Sequence, residues 1–418
     1  MRNPGILRLL LIFLAYGCQE VVQPLDEYYR FKGIRRIVLN KPLFTELVKG
    51  ESVLLTDLLE FRDADNNPVE VPLEAISFFA NETTLAGSQF DAVQQGEYKI
   101  TARIGSLQSN VVALTVLPPG AYPLIRVPVV FHTVGTSMTA AQARTLIEGA
   151  TAAFRNRWQN YGEPKDPLSA DCYIEFYAAD RDPAGNVLPV RGVDAVTALK
   201  TEYTQPEAVA LAANHYWNPN RYLNVWVFNL TGSYTNSSFA YFSYVSESLI
   251  GLSTGTRGTT PSQIFGVFQN AKHTSLVPVF AHEVGHVFGL RHVFDGNGSQ
   301  ANACGATDPD YCGDTPYYDR LAYAANIRQL NKNRVSCDGT PYVSTNFMDY
   351  DYSYENSFTP DQRLRVRHVV SYGLWLPTPY NGYRNARQDA VPGYVRLPEG
   401  FVQPPPVVCN RSETSFSN

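Results

Sequence analysis

Residues 281–292 read AHEVGHVFGLRH and contain three of the seven histidines of the chain. On a helix, His282 and His286 are one turn apart and face the same side, so both imidazoles can reach one metal ion. Glu283 lies one position along and can reach a water on that ion without being a ligand. The stretch therefore predicts a helix that carries two metal ligands and a carboxylate base.

The chain after this helix can supply a third ligand. Gly289 can adopt a positive φ and end the helix, which lets His292 turn back toward the same ion. Three imidazoles and one open coordination position predict a catalytic zinc site rather than a closed structural one. The full pattern arises by chance in roughly one chain of this length in 10⁵. The alternative is a set of surface histidines on an amphipathic helix.

The histidine motif and three later segments together resemble a known protein family. The stretch at 281–292 matches the metzincin signature HExxHxxGxxH, after which a turn carrying a methionine is expected, and NFMDY at 346–350 fits that turn. YCGDTP at 311–316 and SFTPDQ at 357–362 resemble the pappalysin (cytophagalysin) family of metzincins. The resemblance covers about residues 123–377 and implies a zinc metalloendopeptidase.

Each functional position of that family has a counterpart here. The resemblance implies three zinc ligands, a general base and acid, a hydrophobic floor below the site, and a tyrosine that swings toward the zinc. In that order these are His282, His286 and His292; Glu283; Met348; and Tyr350. The alternative role for Tyr350 is a packed aromatic ring with a solvated hydroxyl.

An acidic loop follows the zinc motif. Asp308, Asp310, Asp314 and Thr315 provide oxygens that suit a hard cation, and the family resemblance implies a structural Ca²⁺. The alternative is a solvated acidic turn. Calcium is therefore expected as a second cofactor beside Zn²⁺.

The N-terminus has the features of a secretory signal. Residues 1–17 combine Arg2 and Arg8 with an apolar run at 9–16 that is too short to span a bilayer. The small residue before Cys18 resembles a bacterial lipobox, which implies acylation of this thiol and a lipid anchor in a bacterial, outer membrane. The alternative is an ordinary signal peptide. The arrangement is similar to metalloproteinase lipoproteins of Bacteroidetes-type bacteria, so we expect an extracytoplasmic protein.

The pattern along the chain predicts two folded domains. Residues 18–120 have period-2 alternation, which predicts a small all-β, immunoglobulin-like sandwich domain, with a Pro-Pro-Gly linker at 118–120. Residues 123–377 form the expected metzincin zinc peptidase domain, an α+β/α-β fold with a mixed sheet plus the active-site helix. Residues 378–418 have the composition of an extended C-terminal tail.

Individual elements follow from periodicity. In the second domain we predict strands at 125–132, 172–178 and 223–228, and helices at 139–158 and 206–217. In the first domain, residues 69–71 are among the predicted strands. Residues 239–242 predict an edge strand, and the resemblance implies that an extended peptide binds there by strand addition.

Composition narrows the classes of function. The formal net charge is -5 and no block of lysine and arginine is present, so there is no electrostatic reason to expect nucleic-acid binding. Hydrophobic residues make up 44% and charged residues 17%, which excludes intrinsic disorder.

The remaining histidines and cysteines are interpreted as structural. His132, His215, His273 and His368 are read as structural or surface residues. Two of Cys304, Cys312 and Cys337 are expected to form a disulfide, and Cys409 is a further candidate that could tie down the tail.

The leading functional hypothesis is a membrane-anchored zinc endopeptidase acting on protein or peptide substrates. The alternative is a surface binding lipoprotein with a catalytically silent peptidase-like scaffold. A non-peptidase zinc hydrolase is disfavoured because the third ligand is a nearby histidine rather than a distant glutamate. The complete set of motif residues favours the enzyme.

Overall fold

The computed structural model divides the chain into two compact units, Met1–Pro123 and Leu124–Asn418. It describes residues 33–41, 45–47, 52–117, 122–159, 165–256, 261–295, 304, 310–325, 332–350, 353–377, 394–398 and 400–408. The predicted signal segment, Cys18, Asp308 and most of the predicted tail lie outside these residues.

The described part of the first unit is built from β-strands. They are β1 (Arg36–Leu39), β2 (Glu46–Leu47), β3 (Ser52–Leu54), β4 (Leu59–Arg62), β5 (Ser77–Ala80), β6 (Thr83–Thr84), β7 (Gln89–Asp91), β8 (Gly96–Ile104), β9 (Leu107–Gln108) and β10 (Val112–Val116). One sheet has the order β2-β10-β8-β5-β6, with β9 beside β8, while β1 pairs with β4 and β3 with β7. The unit is therefore all-β where it is described.

Alternating side chains explain these strands. Val112, Leu114 and Val116 of β10 are buried, while the residues between them are exposed or half-buried. The strand predicted at 69–71 is wrong. Pro68 and Pro72 flank it, and a proline has no N–H to offer a strand ladder. Val69 makes only a local hydrogen bond, from its N–H to the Phe61 carbonyl at 3.0 Å.

The second unit is built on a mixed sheet. Its order is β12-β11-β14-β16-β15-β19, with β13 also pairing with β11, and β17 and β18 form a separate hairpin. The strands are β11 (Ile125–Val134), β12 (Ile174–Ala178), β13 (Val193–Val196), β14 (Leu223–Phe228), β15 (Phe239–Tyr241), β16 (Gly266–Asn270), β17 (Asn333–Val335), β18 (Pro341–Val343) and β19 (Val407–Val408). β15 and β19 run antiparallel to their neighbours, and the other strands of the sheet are parallel.

Three of the five helices described in this unit begin at a capping box. The five helices are α1 (Ala140–Phe154), α2 (Gln205–Asn214), α3 (Val277–Val287), α4 (Arg320–Ala325) and α5 (Pro360–Tyr372). Thr139, Thr204 and Thr359 each form a capping box with the glutamine or glutamate three residues on. Short 3₁₀ turns lie at Gly232–Tyr234 and Ala271–His273 in this unit, and at Thr56–Leu58 and Leu73–Ala75 in the first unit. None of the helices within the described ranges is long and apolar enough to cross a bilayer.

The strand predicted at 239–242 is present as β15, but its prediction as an edge strand is wrong. β19, from the predicted tail, pairs with its outer side, with Phe239 opposite Val408 and Ala240 opposite Val407. This pairing joins segments far apart in sequence, and a two-residue strand carries no periodicity of its own.

Helix α3 packs between the sheet and α1. The Phe280 ring lies 5.5 Å from the ring of Phe131 on β11, centroid to centroid. On the opposite helix, Gly149 provides the space that Val277 at the start of α3 occupies, since a methyl group there would lie 2.5 Å from Val277 Cγ1. The position of α3, and with it the histidine motif, therefore depends on a close helix–helix contact.

We expect Gly149→Ala to lower the free energy of unfolding of this unit by about 1–2 kcal/mol. Overpacking costs roughly 1–3 kcal/mol, and the contact with two Val277 methyl groups at once favours the upper half of that range. The better helix propensity of alanine returns about 1 kcal/mol. All four tryptophans lie in the second unit, so urea unfolding followed by tryptophan fluorescence reports on it selectively.

Adding Val277→Ala to Gly149→Ala should restore part of the lost free energy of unfolding, because it removes the two methyl groups nearest to the added one. Gly313→Ala is the control within the same unit, since an added methyl there meets only Asp361 Oδ2, at an ordinary contact distance of 3.6 Å. A Gly149→Ala protein as stable as the parent would contradict the close contact.

Candidate metal centre

Three histidine side chains converge in the interior of the second unit. His286 Nε2 lies 3.0 Å from His282 Nε2 and 3.1 Å from His292 Nε2. All three residues have no exposed surface. The structure thus brings together the three residues that the sequence predicts as ligands.

The turn after α3 makes this convergence possible. Gly289 has a φ of 86°, which favours glycine, and a methyl group there would lie 2.8 Å from Val369 and 2.9 Å from Leu252. The Leu290 N–H bonds the Gly285 carbonyl at 2.9 Å, which closes the end of the helix. His292 is directed back toward α3 as a result.

Each ring is oriented through its other nitrogen. The Nδ1 atoms of His282 and His286 donate to the backbone carbonyls of Phe347 and Leu290, at 2.6 and 2.7 Å. The Nδ1 atom of His292 donates to Asp295 Oδ1 at 3.1 Å. With the proton on Nδ1, the lone pair of each neutral ring lies on Nε2.

This arrangement fits a zinc ion. Three lone pairs directed at one point repel one another unless a cation lies between them. Ligand nitrogens about 2.0–2.1 Å from a tetrahedral ion are about 3.3 Å apart, close to the separations in the triad. The hydrogen bonds on Nδ1 are the second-layer contacts that orient metal-binding histidines.

The methionine turn packs directly under the motif helix. Met348 is fully buried, and its Sδ atom lies so close to α3 that a methyl group on Gly285 would be 2.6 Å away. Asn346 Oδ1 accepts from the Met348 N–H at 2.8 Å and from Gln362 Nε2 at 3.1 Å. The turn is thereby fixed to α5 as well as to α3.

Tyr350 lies against the histidines and is only 3% exposed. Its ring centroid is 4.6 Å from that of His292 and 5.5 Å from that of His282. The guanidinium of Arg320 lies 4.9 Å from the same ring. The side chain is therefore packed beside the site.

Sequence analysis missed a buried polar network behind the turn. Asp349 accepts hydrogen bonds from the hydroxyls of Tyr318, at 2.7 Å, and Ser344, and its carboxylate lies 3.5 Å from Arg334 Nη2. Arg334 Nη2 also donates to the Tyr350 carbonyl at 3.0 Å. Burial, with the adjacent carboxylate, holds the pKa of Tyr318 well above its usual value. An acidic residue within the apolar NFMDY turn was the one sequence feature that could have pointed to this network. Its partners Tyr318 and Arg334 lie too far away in sequence to form a recognisable motif.

The structure does not support the predicted calcium site. Asp310 accepts from the Cys312 N–H and the Thr315 hydroxyl, at 3.1 and 2.8 Å, and Asp314 accepts from the Asp361 N–H at 2.9 Å. Both carboxylate oxygens of Asp310 help to fold the loop, and Asp314 Oδ2 caps α5. Asp308 lies outside the described residues.

The disulfide prediction is confirmed in its general form. Cys304 and Cys337 are bonded, so two of the three clustered cysteines do pair. Cys312 is buried and takes no part in this bond. Cys409 lies outside the described residues.

One family model matches part of the chain. Residues 208–371 match the peptidase family model described as pregnancy-associated plasma protein-A. The match covers less than half of the chain and agrees with the resemblance to pappalysins drawn from the sequence motifs. The match runs from within α2 to within α5 and includes every residue of the triad, Glu283, Met348 and Tyr350.

Part of the chain is also similar in sequence to curated proteins. An extracellular metalloprotease of Arthroderma benhamiae is 39% identical over 87 residues, which cover 20% of this chain and 28% of that protein. An extracellular metalloprotease of Neurospora crassa is 39% identical over 101 residues, covering 23% and 29%. The chain thus spans less than a third of the length of these curated relatives.

Solved structures are also similar. Mature mirolysin from Tannerella forsythia, in complex with a cleaved peptide, aligns with a TM-score of 0.47 and 24% identity, covering 62% of this chain and 98% of that chain. A promirolysin mutant from the same organism aligns with a TM-score of 0.48 and 25% identity, covering 62% and 85%.

We expect Asp295→Ala to weaken zinc binding at the triad by about 10–100-fold, because His292 loses the acceptor that orients its ring. Competition with a chromophoric chelator measures the affinity. Asp295→Asn keeps an oxygen acceptor and should recover part of the loss. Asp338→Asn, in an exposed turn, is the control. An unchanged affinity in Asp295→Ala would refute the orienting role.

Proposed function

We propose that this chain is a zinc-dependent endopeptidase that hydrolyses peptide bonds in proteins or peptides. The observation that carries the proposal is the convergence of three Nε2 atoms beside Glu283, within a segment that matches a peptidase family. His282, His286 and His292 would hold the ion. The names of the fungal relatives, extracellular metalloproteases, support the same activity.

Glu283 is the proposed general base and acid. A bound zinc ion would supply Lewis acidity, which polarises the scissile carbonyl and favours ionisation of water. Glu283 follows His282 on α3 and is fully buried. Its carboxylate accepts a proton from the attacking water and then delivers it to the leaving amine. One carboxylate can serve both steps because the proton it gains in the first is the proton it gives up in the second.

Tyr350 is the proposed donor to the developing oxyanion. Its ring packs beside His292 and His282, so the hydroxyl is carried on a side chain that already borders the site. A fixed donor aimed at the charge that develops in the transition state lowers the barrier more than it strengthens substrate binding. Met348, under α3, is proposed to hold the floor of the site rigid.

The strand beside the site constrains how a peptide can bind. β15 leads into Phe242, whose ring centroid lies 6.1 Å from that of His286. The outer edge of β15 is already paired with β19 at Phe239 and Ala240. An extended substrate that uses this edge must therefore bind beyond Ala240 or displace Val407–Val408.

The proposed location is extracytoplasmic. Residues 1–17 would direct secretion, Cys18 would carry the lipid anchor to a bacterial, outer membrane, and residues 18–120 would form an immunoglobulin-like sandwich between the anchor and the enzyme at 123–377. The fungal relatives, named as extracellular, support an extracytoplasmic location. Metabolic labelling with a radioactive fatty acid tests the anchor, since Cys18→Ala should abolish incorporation.

We expect Glu283→Gln to retain zinc and lose peptide cleavage by about 10²–10⁴-fold, the range for removal of a positioned base. Cleavage of a mixed peptide pool is analysed by mass spectrometry, with zinc content measured on the same samples. Glu202→Gln, at an exposed position, is the matched control. Equal cleavage by a zinc-loaded Glu283→Gln protein would refute the peptidase mechanism.

We expect Tyr350→Phe to lower kcat by about 10²-fold with KM little changed, because the lost hydrogen bond forms only in the transition state. Steady-state kinetics on a peptide found in the pool measures both constants. Tyr372→Phe, at an exposed tyrosine, is the control. Unchanged kinetics would leave Tyr350 with a packing role alone.

A further inference from the structure

A second cluster of metal-binding side chains lies in the same unit. Asp194 Oδ2 is 2.8 Å from His132 Nδ1 and 2.6 Å from His215 Nε2. Of the described residues, only this cluster and the triad bring three such side chains together with their ligand atoms within 4.8 Å of one another. Sequence analysis had read both histidines as structural or surface residues.

The three residues come from three separate elements. His132 lies on β11, opposite Asp194 on β13 in the strand register. His215 follows the last residue of α2. No local sequence spacing joins them, which is why no motif was visible.

Asn224 fixes the tautomer of His132. The side-chain amide of Asn224 donates to the carbonyls of Trp217 and Tyr222, at 3.0 and 3.1 Å, so its orientation is determined. Its Oδ1 atom is 2.9 Å from His132 Nε2 and can only accept, which places a proton on that nitrogen.

The proton on Nε2 determines the state of Nδ1, the other nitrogen of the His132 ring. A neutral His132 then directs the lone pair of Nδ1 at the Asp194 carboxylate, 2.8 Å away. Two electron-rich atoms at that distance repel each other unless a cation lies between them. The carbonyl of Asn224 plays the same orienting part for His132 that Asp295 plays for His292.

The cluster is buried on one side and accessible on the other. The His132 side chain has no exposed surface, while the side chains of Asp194 and His215 are 18% and 29% exposed. The His132 ring is also held between aromatic neighbours, with ring centroids 5.5 Å from Trp226 and 5.3 Å from Trp217. The partial exposure of Asp194 and His215 gives an ion a route of entry from solvent.

We propose that His132, Asp194 and His215 form a second zinc site, separate from the triad. Two imidazole nitrogens and one carboxylate oxygen are a ligand set that zinc accepts. Zinc would separate the ligand atoms to about 3.3 Å, a widening of about half an ångström that the partly exposed Asp194 and His215 can accommodate. The ion would tie the end of α2 to β11 and β13.

The test is the zinc content of the purified full chain after removal of metal with a chelator and reloading at low micromolar free zinc. Elemental analysis of the reloaded protein by inductively coupled plasma mass spectrometry should give two zinc ions per chain. His215→Ala and, separately, Asp194→Asn should each reduce this to one. His368→Ala, a histidine outside both clusters, should keep two.

The triad serves as an internal control for folding, because a variant that keeps one tightly bound zinc has kept its fold. X-ray absorption of the parent minus that of His215→Ala should give a site with both nitrogen and oxygen ligands. One zinc ion in the parent would overturn the proposal and leave a proton between His132 and Asp194. Two ions in both variants would also overturn it, since the second ion would then lie elsewhere. The result is independent of peptidase activity, so the two proposals can fail separately.

Discussion

The site depends on how three imidazole rings are held by their far nitrogens. Each Nδ1 atom donates to one fixed acceptor. In the order His282, His286 and His292, these are the Phe347 carbonyl, the Leu290 carbonyl and the Asp295 carboxylate. These three bonds select the tautomer and the ring plane together, and the three Nε2 atoms then meet. Placing three lone pairs at one buried point costs free energy through their mutual repulsion. Binding of a cation offsets this cost, so the folded site favours the metal-bound state.

The hydrogen bond from His282 to Phe347 also explains why the methionine turn matters. It joins α3 to a turn that Asn346 and Gln362 fix to α5. Behind the turn, Asp349 and Arg334 are both almost completely buried. A buried ion pair is costly to desolvate and adds little stability, but loss of one partner leaves an uncompensated charge. We interpret the ion pair as a constraint that selects one conformation of the turn, because Arg334 also donates a hydrogen bond to the Tyr350 carbonyl.

Sequence analysis captured what is local and missed what is not. The one-turn spacing of His282 and His286, and the need for a glycine at position 289, are properties of a single helix and its end. Regular strands such as β11 and β14 were likewise predicted from periodicity. The pairing of β19 with β15, the network around Asp349 and the cluster at Asp194 join residues that are remote in sequence and have no pattern of their own. The calcium prediction is not supported, because acidic residues also cap helices and close loops, as Asp310 and Asp314 do.

The two histidine clusters apply the same rule to different secondary structures. In the triad, Nδ1 of each ring is used for orientation, by a backbone carbonyl or by Asp295, and Nε2 is the nitrogen left to face a proposed ion. On β11, the roles are exchanged: His132 reaches across to Asn224 with Nε2 and leaves Nδ1 facing Asp194. In both cases an acceptor of fixed orientation on one nitrogen determines what the other nitrogen can bind. A buried histidine is therefore better classified by the partner of its far nitrogen than by its distance from other ligands, and by that criterion His132 resembles the triad more than it resembles a core histidine.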